Sequence, residues 1–340
     1  MKHNFVAQIT EILGEVSIVE NLARKKFIGE FIIGLIKSRN VQFCEVAQHL
    51  RDSAKLSSNE VRIQDFFREV SLDYQQVAIL LLSFLPRRRK LRLCIDRTNW
   101  EFGCYSCNIL MVSVSCGEFS LPFYWEMLDN KGGNSSQEQR IDLLKSCIDI
   151  IGEKRIGLLI GDREFIGHHW LKHLKNKHIR FIVRMPKHHK MHCIDGQVRT
   201  IKDLDILPGQ IVRFSNVLMN GVVGNVYIEL LDNGDYLFLF GTVNGTFIEQ
   251  LYRKRWCIES CFQNLKGRGF DLEKSHLKAD EKLSKLVALV SIAYGLVVST
   301  GVFYHQKVQS LKKRNMATKK TALPEKVSTL LENGLEQLKR

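Results

Sequence analysis

Apolar residues recur at three- and four-residue spacing through "NFVAQITEIL", "FIGEFIIGLI" and "FCEVAQHL". That period predicts helices over residues 1–88. "SSNEVRIQDFFREV" continues it, and Ser57 followed by Glu60 is expected to form a capping box at its start. A helix, a polar turn and a second capped helix are compatible with a helix-turn-helix, and equally with any small helical bundle. "PRRRK" (Pro86 to Lys90) then breaks the pattern and is expected to be a linker.

Past it the period shortens. "LRLCID", "CNILMVSVSC" and "FSLPFYW" are β-type runs, the last two joined by Gly117-Glu118, which suits a tight hairpin. "SSQEQRIDLLKSCIDIIG" reads as a helix capped by Ser135 and Glu138. "RIGLLIGD" is almost wholly apolar, as expected of a strand buried on both faces. "WLKHLKNK" reads as a helix and "RFIVRM" as a further strand, so the order is βββαβαβ. Over residues 186–245 the pattern is β again but half-polar ("QIVRFSNV", "VVGNVYIEL", "YLFLFGT"), with turns at Asn220-Gly221 and Asn233-Gly234. These strands form an insertion between the core strands of residues 89–185 and a second core segment, 246–305. A basic tail, 306–340, closes the chain. No internal repeat is found.

"LVALVSIAYGLVVSTGVF" (Leu286 to Phe303) is long and apolar enough to raise the question of a membrane. It stands alone and contains Ser291, Ser299 and Thr300, so a helix buried in a large core is expected. The first residues meet acids where the apolar region of a signal peptide would lie.

Composition narrows the classes. A chain of 340 residues with 45% hydrophobic residues is globular rather than disordered. Its net charge of +14, with a pI near 9.4, suggests a polyanionic partner. Nine scattered cysteines, several inside apolar runs, indicate a reducing cytoplasmic compartment rather than a disulfide scaffold. Cys104 and Cys107 form a C-x-x-C with no second pair at zinc spacing. "KHHKMHC" (His188, His189, His192, Cys193) fits a solvated basic loop better than a metal site.

"YRKRWCIESCFQNLKGRGF" carries the sharpest signal. On one continuous helix Tyr252, Arg255, Glu259 and Lys266 fall within about 60° of each other, with Leu251, Ile258, Phe262 and Leu265 about 80° to one side. A solvated face strengthened by Glu–Arg and Glu–Lys spacing would look the same. Two further carboxylates change the weighing. Asp96 is expected to end the first strand and Asp162 the fourth. Strand ends in a mixed sheet are where ligands collect. Carboxylates gathered there repel unless a cation neutralises them, and oxygen-only ligands suit Mg²⁺ or Mn²⁺. Two such ions can activate water on one side of a phosphodiester and stabilise the leaving oxygen on the other.

Tyr252, Arg255, Glu259 and Lys266 at the spacing Y-x2-R-x3-E-x6-K, with "IDRTNW" around Asp96 and "GDREF" around Asp162, resemble the signature of the insertion-sequence-4 family of bacterial DDE transposases. The resemblance spans residues 90–305. It implies an α/β fold: a ribonuclease-H-like core, a mixed sheet with flanking helices, interrupted by a β-rich insertion and preceded by a helical DNA-binding domain. It implies Asp96, Asp162 and Glu259 as the metal-binding catalytic triad, and Tyr252, Arg255, Lys266 and Arg163 as contacts to DNA. The implied partners are double-stranded DNA, both transposon ends and target, and a second copy of the chain in a synaptic dimer, with no membrane. Some members of that family stack a flipped base on a tryptophan of the insertion. Here tryptophan occurs only at 100, 125, 170 and 256, which leaves Tyr236, Phe238 or Phe240 as stand-ins or, equally, as core residues of a strand. The rival readings are a related nuclease without strand transfer and a catalytically dead DNA-binding regulator.

Overall fold

A computed structural model describes residues 2–50, 53–86, 90–102, 105–129 and 133–315. Cys104, Arg87 to Arg89 and the tail beyond residue 315 lie outside the described residues, and with them the C-x-x-C, part of the basic linker and most of the basic tail.

Five helices come first: α1 (Lys2–Gly14), α2 (Leu22–Ser38), α3 (Phe43–Ala47), α4 (Leu56–Glu69) and α5 (Tyr74–Ser83). Asn21 caps α2 and Asp73 caps α5, each accepting from two backbone N–H groups of the first turn. The capping box expected at Ser57 is absent. Helix α4 begins two residues earlier, with Lys55 at the cap position and no side-chain cap, so Ser57 and Glu60 lie inside it.

The core strands are β1 (Leu91–Phe102), β2 (Tyr105–Cys116) and β3 (Phe119–Met127), then α6 (Gln137–Ile151), β4 (Ile156–Gly161), α7 (His168–Asn176) and β5 (Phe181–Arg184). Cys116 pairs with Phe119, so Gly117-Glu118 is the two-residue turn the sequence indicates, with Gly117 at φ 67°. The box that caps α6 is Ser136 with Gln139, one residue later than expected, because Ser135 is drawn off by Glu164.

Beyond β5 come β6 (Met191–His192), β7 (Val198–Arg199), β8 (Ile211–Met219), β9 (Val222–Leu230) and β10 (Tyr236–Gly241). The insertion does not form a separate sheet. Among the described residues all the strands join in one ten-stranded sheet of order β3-β2-β1-β4-β5-β10-β9-β8-β6-β7. Strands β1, β4 and β5 are parallel, and every other neighbouring pair is antiparallel. Antiparallel β3-β2-β1 followed by parallel β4 and β5 is the ribonuclease-H-like arrangement. Asn220 and Gly221, at φ 47° and 74°, make the β8–β9 turn, and the left-handed pair suits the twist of the ribbon.

After β10 come α8 (Ile248–Tyr252), a 3₁₀ turn at Arg253–Arg255, α9 (Trp256–Leu265) and α10 (Asp280–Asn315). The apolar stretch of α10 is 72% buried and packs on α2, α5 and β3, as expected of a core helix.

Strand side chains alternate between two cores. Cys94, Ile109, Met111, Leu158 and Ile160 face one shared with α1–α5, α9 and α10. Leu93, Ile95, Leu110, Val112 and Leu159 face the other, shared with α6, α7 and the insertion. The N-terminal helices thus continue the core of the sheet. Phe238 and Phe240 belong to the second core and are fully buried, so neither can stack a base. Tyr236 is half-buried, with the Lys187 ammonium 5.4 Å from its ring centre.

Candidate active site

Strand β1 runs six residues past Asp96, so this carboxylate does not end a strand. It lies where β1 loses a neighbour. The β1–β4 ladder closes at Ile95 opposite Gly161, and beyond that point β1 continues with β2 alone. Asp96 and Asp162 are the next residues on the two parallel strands, so register alone makes them neighbours. Gly161 permits the turn that follows: a Cβ there would stand 2.7 Å from the Phe165 Cβ, and the Phe165 N–H donates to the Asp162 carbonyl at 2.9 Å.

The third carboxylate comes from the helical side. The continuous helix expected from Tyr252 to Lys266 is broken. Tyr252 ends α8, the 3₁₀ turn shifts the phase, and Lys266 lies just beyond α9. The break separates the four residues of the stripe. Tyr252 is buried, and its hydroxyl donates to Asp162 Oδ1 at 3.3 Å. Lys266 turns away to the Asn99 carbonyl and Glu273, each at 3.0 Å, with its ammonium 5.2 Å from the Trp100 ring centre. Arg163 pairs with Asp235 at 2.9 Å, where Arg184 and Lys187 also converge. The Lys187 ammonium, and after it Arg163, hold the Asp235 carboxyl well below the usual range. The apolar stripe is as expected, with Ile258, Phe262 and Leu265 buried.

Arg255 is the hub. Its side chain is only 12% exposed. Nη1 donates to Asp96 Oδ2 at 3.1 Å and Nη2 to Glu259 Oε1. Its guanidinium lies 5.7 Å from the Tyr252 ring centre, and its buried Nε has no partner. Burial works against its charge, but Tyr252, Asp162, Asp96 and Glu259 outweigh burial and raise its pKa. Burial is also the main influence on Asp96. It pushes the carboxyl up to about 6, against Arg255 and the Arg97 N–H, with Asp162 and Glu259 adding repulsion. The ion pair and the raised pKa do not conflict, because burial of the Asp96 carboxyl outweighs the attraction of Arg255.

Asp96, Asp162 and Glu259 therefore converge, but around an arginine rather than on one another. Among the described residues no three His, Cys, Asp or Glu side chains are grouped as a metal site. The donor chemistry still fits a hard divalent cation: the groups facing Arg255 are carboxylates and a phenol, with no sulfur or imidazole at the centre. His188, His189, His192 and Cys193 form no such group either, and His189 Nε2 is 3.1 Å from Asn220 Oδ1.

Sequence reasoning missed the side chains behind the carboxylates. Arg97 Nε donates to Glu164 Oε2 at 3.0 Å, and Glu164 Oε1 accepts from the Ser135 N–H and hydroxyl at 2.8 and 2.7 Å. Both Arg97 and Glu164 lie inside the quoted motifs, but nothing in the sequence says that they meet.

A ribonuclease-H-like sheet with two carboxylates where its parallel strands β1 and β4 part, and a third from a helix packed beside them, defines a class of α/β proteins with an acidic site at the strand ends. The family model described as "Transposase DDE domain" matches residues 87–296, and the chain belongs to that family. It is a transposase of the DDE type, a class that generally uses divalent metal ions for DNA cleavage and transposition. No curated protein matches the sequence. Among solved structures, the chain is similar to piggyBac transposase in its synaptic complex with hairpin DNA, at 10% identity and a TM-score of 0.49, over 98% of this chain and 77% of that one. It is also similar to endonuclease V of Bacillus subtilis, at 10% identity and a TM-score of 0.28, over 78% and 97%.

Proposed function

We propose that the protein is the cytoplasmic transposase of an insertion sequence of the insertion-sequence-4 family. In this reading it binds the terminal inverted repeats, hydrolyses the 3′ strand at each end and joins the freed 3′-OH to target DNA, acting as a homodimer. The observation that carries the reading is the convergence of Asp96, Asp162 and Glu259 on Arg255 at the edge where β1 and β4 part.

Asp96, Asp162 and Glu259 would hold Mg²⁺ or Mn²⁺, two ions by the chemistry of the reaction. When bound, these ions supply Lewis acidity to the scissile phosphate and lower the pKa of the attacking water or 3′-OH. The chain's own residues do the rest. Register brings the two aspartates side by side. The Tyr252 hydroxyl fixes the orientation of the Asp162 carboxylate. Arg255 presents two N–H groups in a fork that matches a phosphate as well as it matches two carboxylates, so an incoming phosphodiester is a natural second partner. Its unpartnered Nε leaves a donor for that exchange. Lys266 and Arg163 are each held by an acid that backbone phosphates would replace. The net charge of +14 favours a polyanion throughout. Helices α1–α5 of residues 1–88 would supply much of the end recognition.

The test uses full-length protein, labelled DNA bearing the inverted repeats that flank the gene, and Mg²⁺. The expected result is a joined product. Cut product alone would indicate a nuclease, and a gel shift without cutting would indicate a regulator.

A further inference from the structure

Past Ile95 and Gly161 no backbone ladder joins β1 to β4, so main-chain hydrogen bonds between these strands stop one residue short of both aspartates. A side-chain bridge begins there. Arg97 follows Asp96, and its N–H donates to Asp96 Oδ1 at 2.8 Å. Its guanidinium crosses to Glu164, two residues after Asp162, at 3.0 Å, and also reaches Asn108 Oδ1 on β2 at 3.0 Å. Arg97 and Glu164 are 18% and 13% exposed, so the pair is largely withdrawn from solvent. The second oxygen of Glu164 is held by the Ser135 N–H and hydroxyl. Ser135 is in turn held by buried Arg140, whose Nε donates to the Ser135 hydroxyl at 2.8 Å and Nη2 to its carbonyl at 2.5 Å. Arg140 Nη1 donates to the Ile166 carbonyl at 3.0 Å, which ties the far end of the Asp162 turn to the same arginine.

Each group in this chain of contacts is fixed by the next, and none of them reaches the centre of the site. We infer that the Arg97–Glu164 pair, buttressed by Ser135 and Arg140, is a positioning device that sets the separation of Asp96 and Asp162 and thereby the affinity for divalent cation. The inference rests on the reading of these aspartates as metal ligands. It differs from a general stabilising role in one respect. A pair that only holds the fold together would change melting without changing the metal concentration needed, whereas a pair that spaces two ligands changes that concentration. Groups that orient metal ligands from behind typically contribute 10–100-fold in metal affinity.

The experiment is a thermal melt of the full-length protein titrated with Mn²⁺, without DNA, for the parent, Arg97→Ala, Arg97→Lys and Glu164→Gln. For Arg97→Ala and Glu164→Gln the Mn²⁺ concentration giving half the maximal melting shift should rise by about tenfold or more. Arg97→Lys keeps the charge and one donor, and should fall between the parent and Arg97→Ala; because it keeps the ion pair, it also guards against loss of fold in the other two. Half-maximal concentrations equal to the parent's, even with lower metal-free melting temperatures, would overturn the positioning role and leave the metal reading standing. A parent protein with no Mn²⁺-dependent shift would instead remove the metal site, and the inference with it.

Discussion

The two sides of the candidate site are built on different principles. Asp96 and Asp162 sit on adjacent parallel strands, and the Ile95–Gly161 register makes them neighbours before any side chain is considered. Tyr252, Arg255 and Glu259 come from a segment that follows the whole insertion and is broken by a 3₁₀ turn. They meet the opposing acids through Tyr252 to Asp162 and Arg255 to Asp96, while Arg255 also pairs with Glu259 on its own side. The strand side is aligned by the ladder, and the helix side by its buried apolar stripe together with the charges it meets. Substitutions on the two sides should therefore fail in different ways.

The largest effect is expected where both sides meet. Asp96→Asn, Asp162→Asn and Glu259→Gln should each cut end cleavage in Mg²⁺ by about a thousandfold or more, since several kcal/mol of transition-state stabilisation would go with each ligand. DNA binding in a gel shift should stay near the parent level. Robust cutting by one of the three would remove that residue from the triad.

The strand side should also show a pH signature. Folding raises the Asp96 carboxyl from 3.8 to about 6, so the folded chain holds this proton more tightly than the unfolded chain. Stability should accordingly fall as pH rises from about 4 to about 6, and the penalty should be complete above that range. In metal-free protein Asp96→Asn removes it, with a gain over the parent of at most about 3 kcal/mol at pH 7 and nearly none at pH 4. Urea unfolding at the two pH values measures the difference. An equal gain at both would assign the effect to packing instead of charge.

On the helix side the test is geometric. Arg255→Lys keeps the charge but loses the fork, so cleavage should slow by roughly tenfold while the metal-free fold survives. A parent-like rate would mean that a point charge is enough there.

The smallest effects separate the two serines that resemble caps. Ser136→Ala should cost about 1 kcal/mol in chemical denaturation, whereas Ser57→Ala, inside α4, should cost less than about 0.5 kcal/mol. Equal costs would contradict the placement of the caps.

Much of the strand side was legible in the sequence. The nearly all-apolar "RIGLLIGD", the Gly117-Glu118 turn and the βββαβαβ order are local properties, and local pattern predicts them. The placement of Asp96 was less so. Hydrophobic pattern marks where a strand is buried, and β1 continues for six residues past that point as half of a ribbon with β2. On the helix side the spacing of Tyr252, Arg255, Glu259 and Lys266 identified the segment, but a helical wheel assumes one continuous helix. Arg253–Arg255 tighten to 3₁₀, which buries Tyr252 against Asp162 and lets Lys266 leave the stripe. Half-polar alternation marked the insertion as β, yet it could not show that β10 would dock on β5, because strand pairing is a long-range choice. The cap at Ser136 moved by one residue for a related reason: Glu164 recruits Ser135, and that contact exists only once the fold has formed.

The attachment of β10 to β5 also bears on when the protein becomes competent. A growing chain makes both aspartates early, and the strands that carry them can pair as soon as β4 has emerged. Glu259 and Arg255 follow the whole insertion in the chain, and the strand just before them, β10, docks on β5 through Leu239–Arg184, Phe240–Val183 and Gly241–Ile182. Pairings of such high sequence separation form late, since loop closure must precede them. Chains not yet extended past β10 therefore carry Asp96 and Asp162 but neither Glu259 nor Arg255. In the proposed reading, competence to cut would therefore arrive only after the segment that follows β10 has been made and has packed on the sheet.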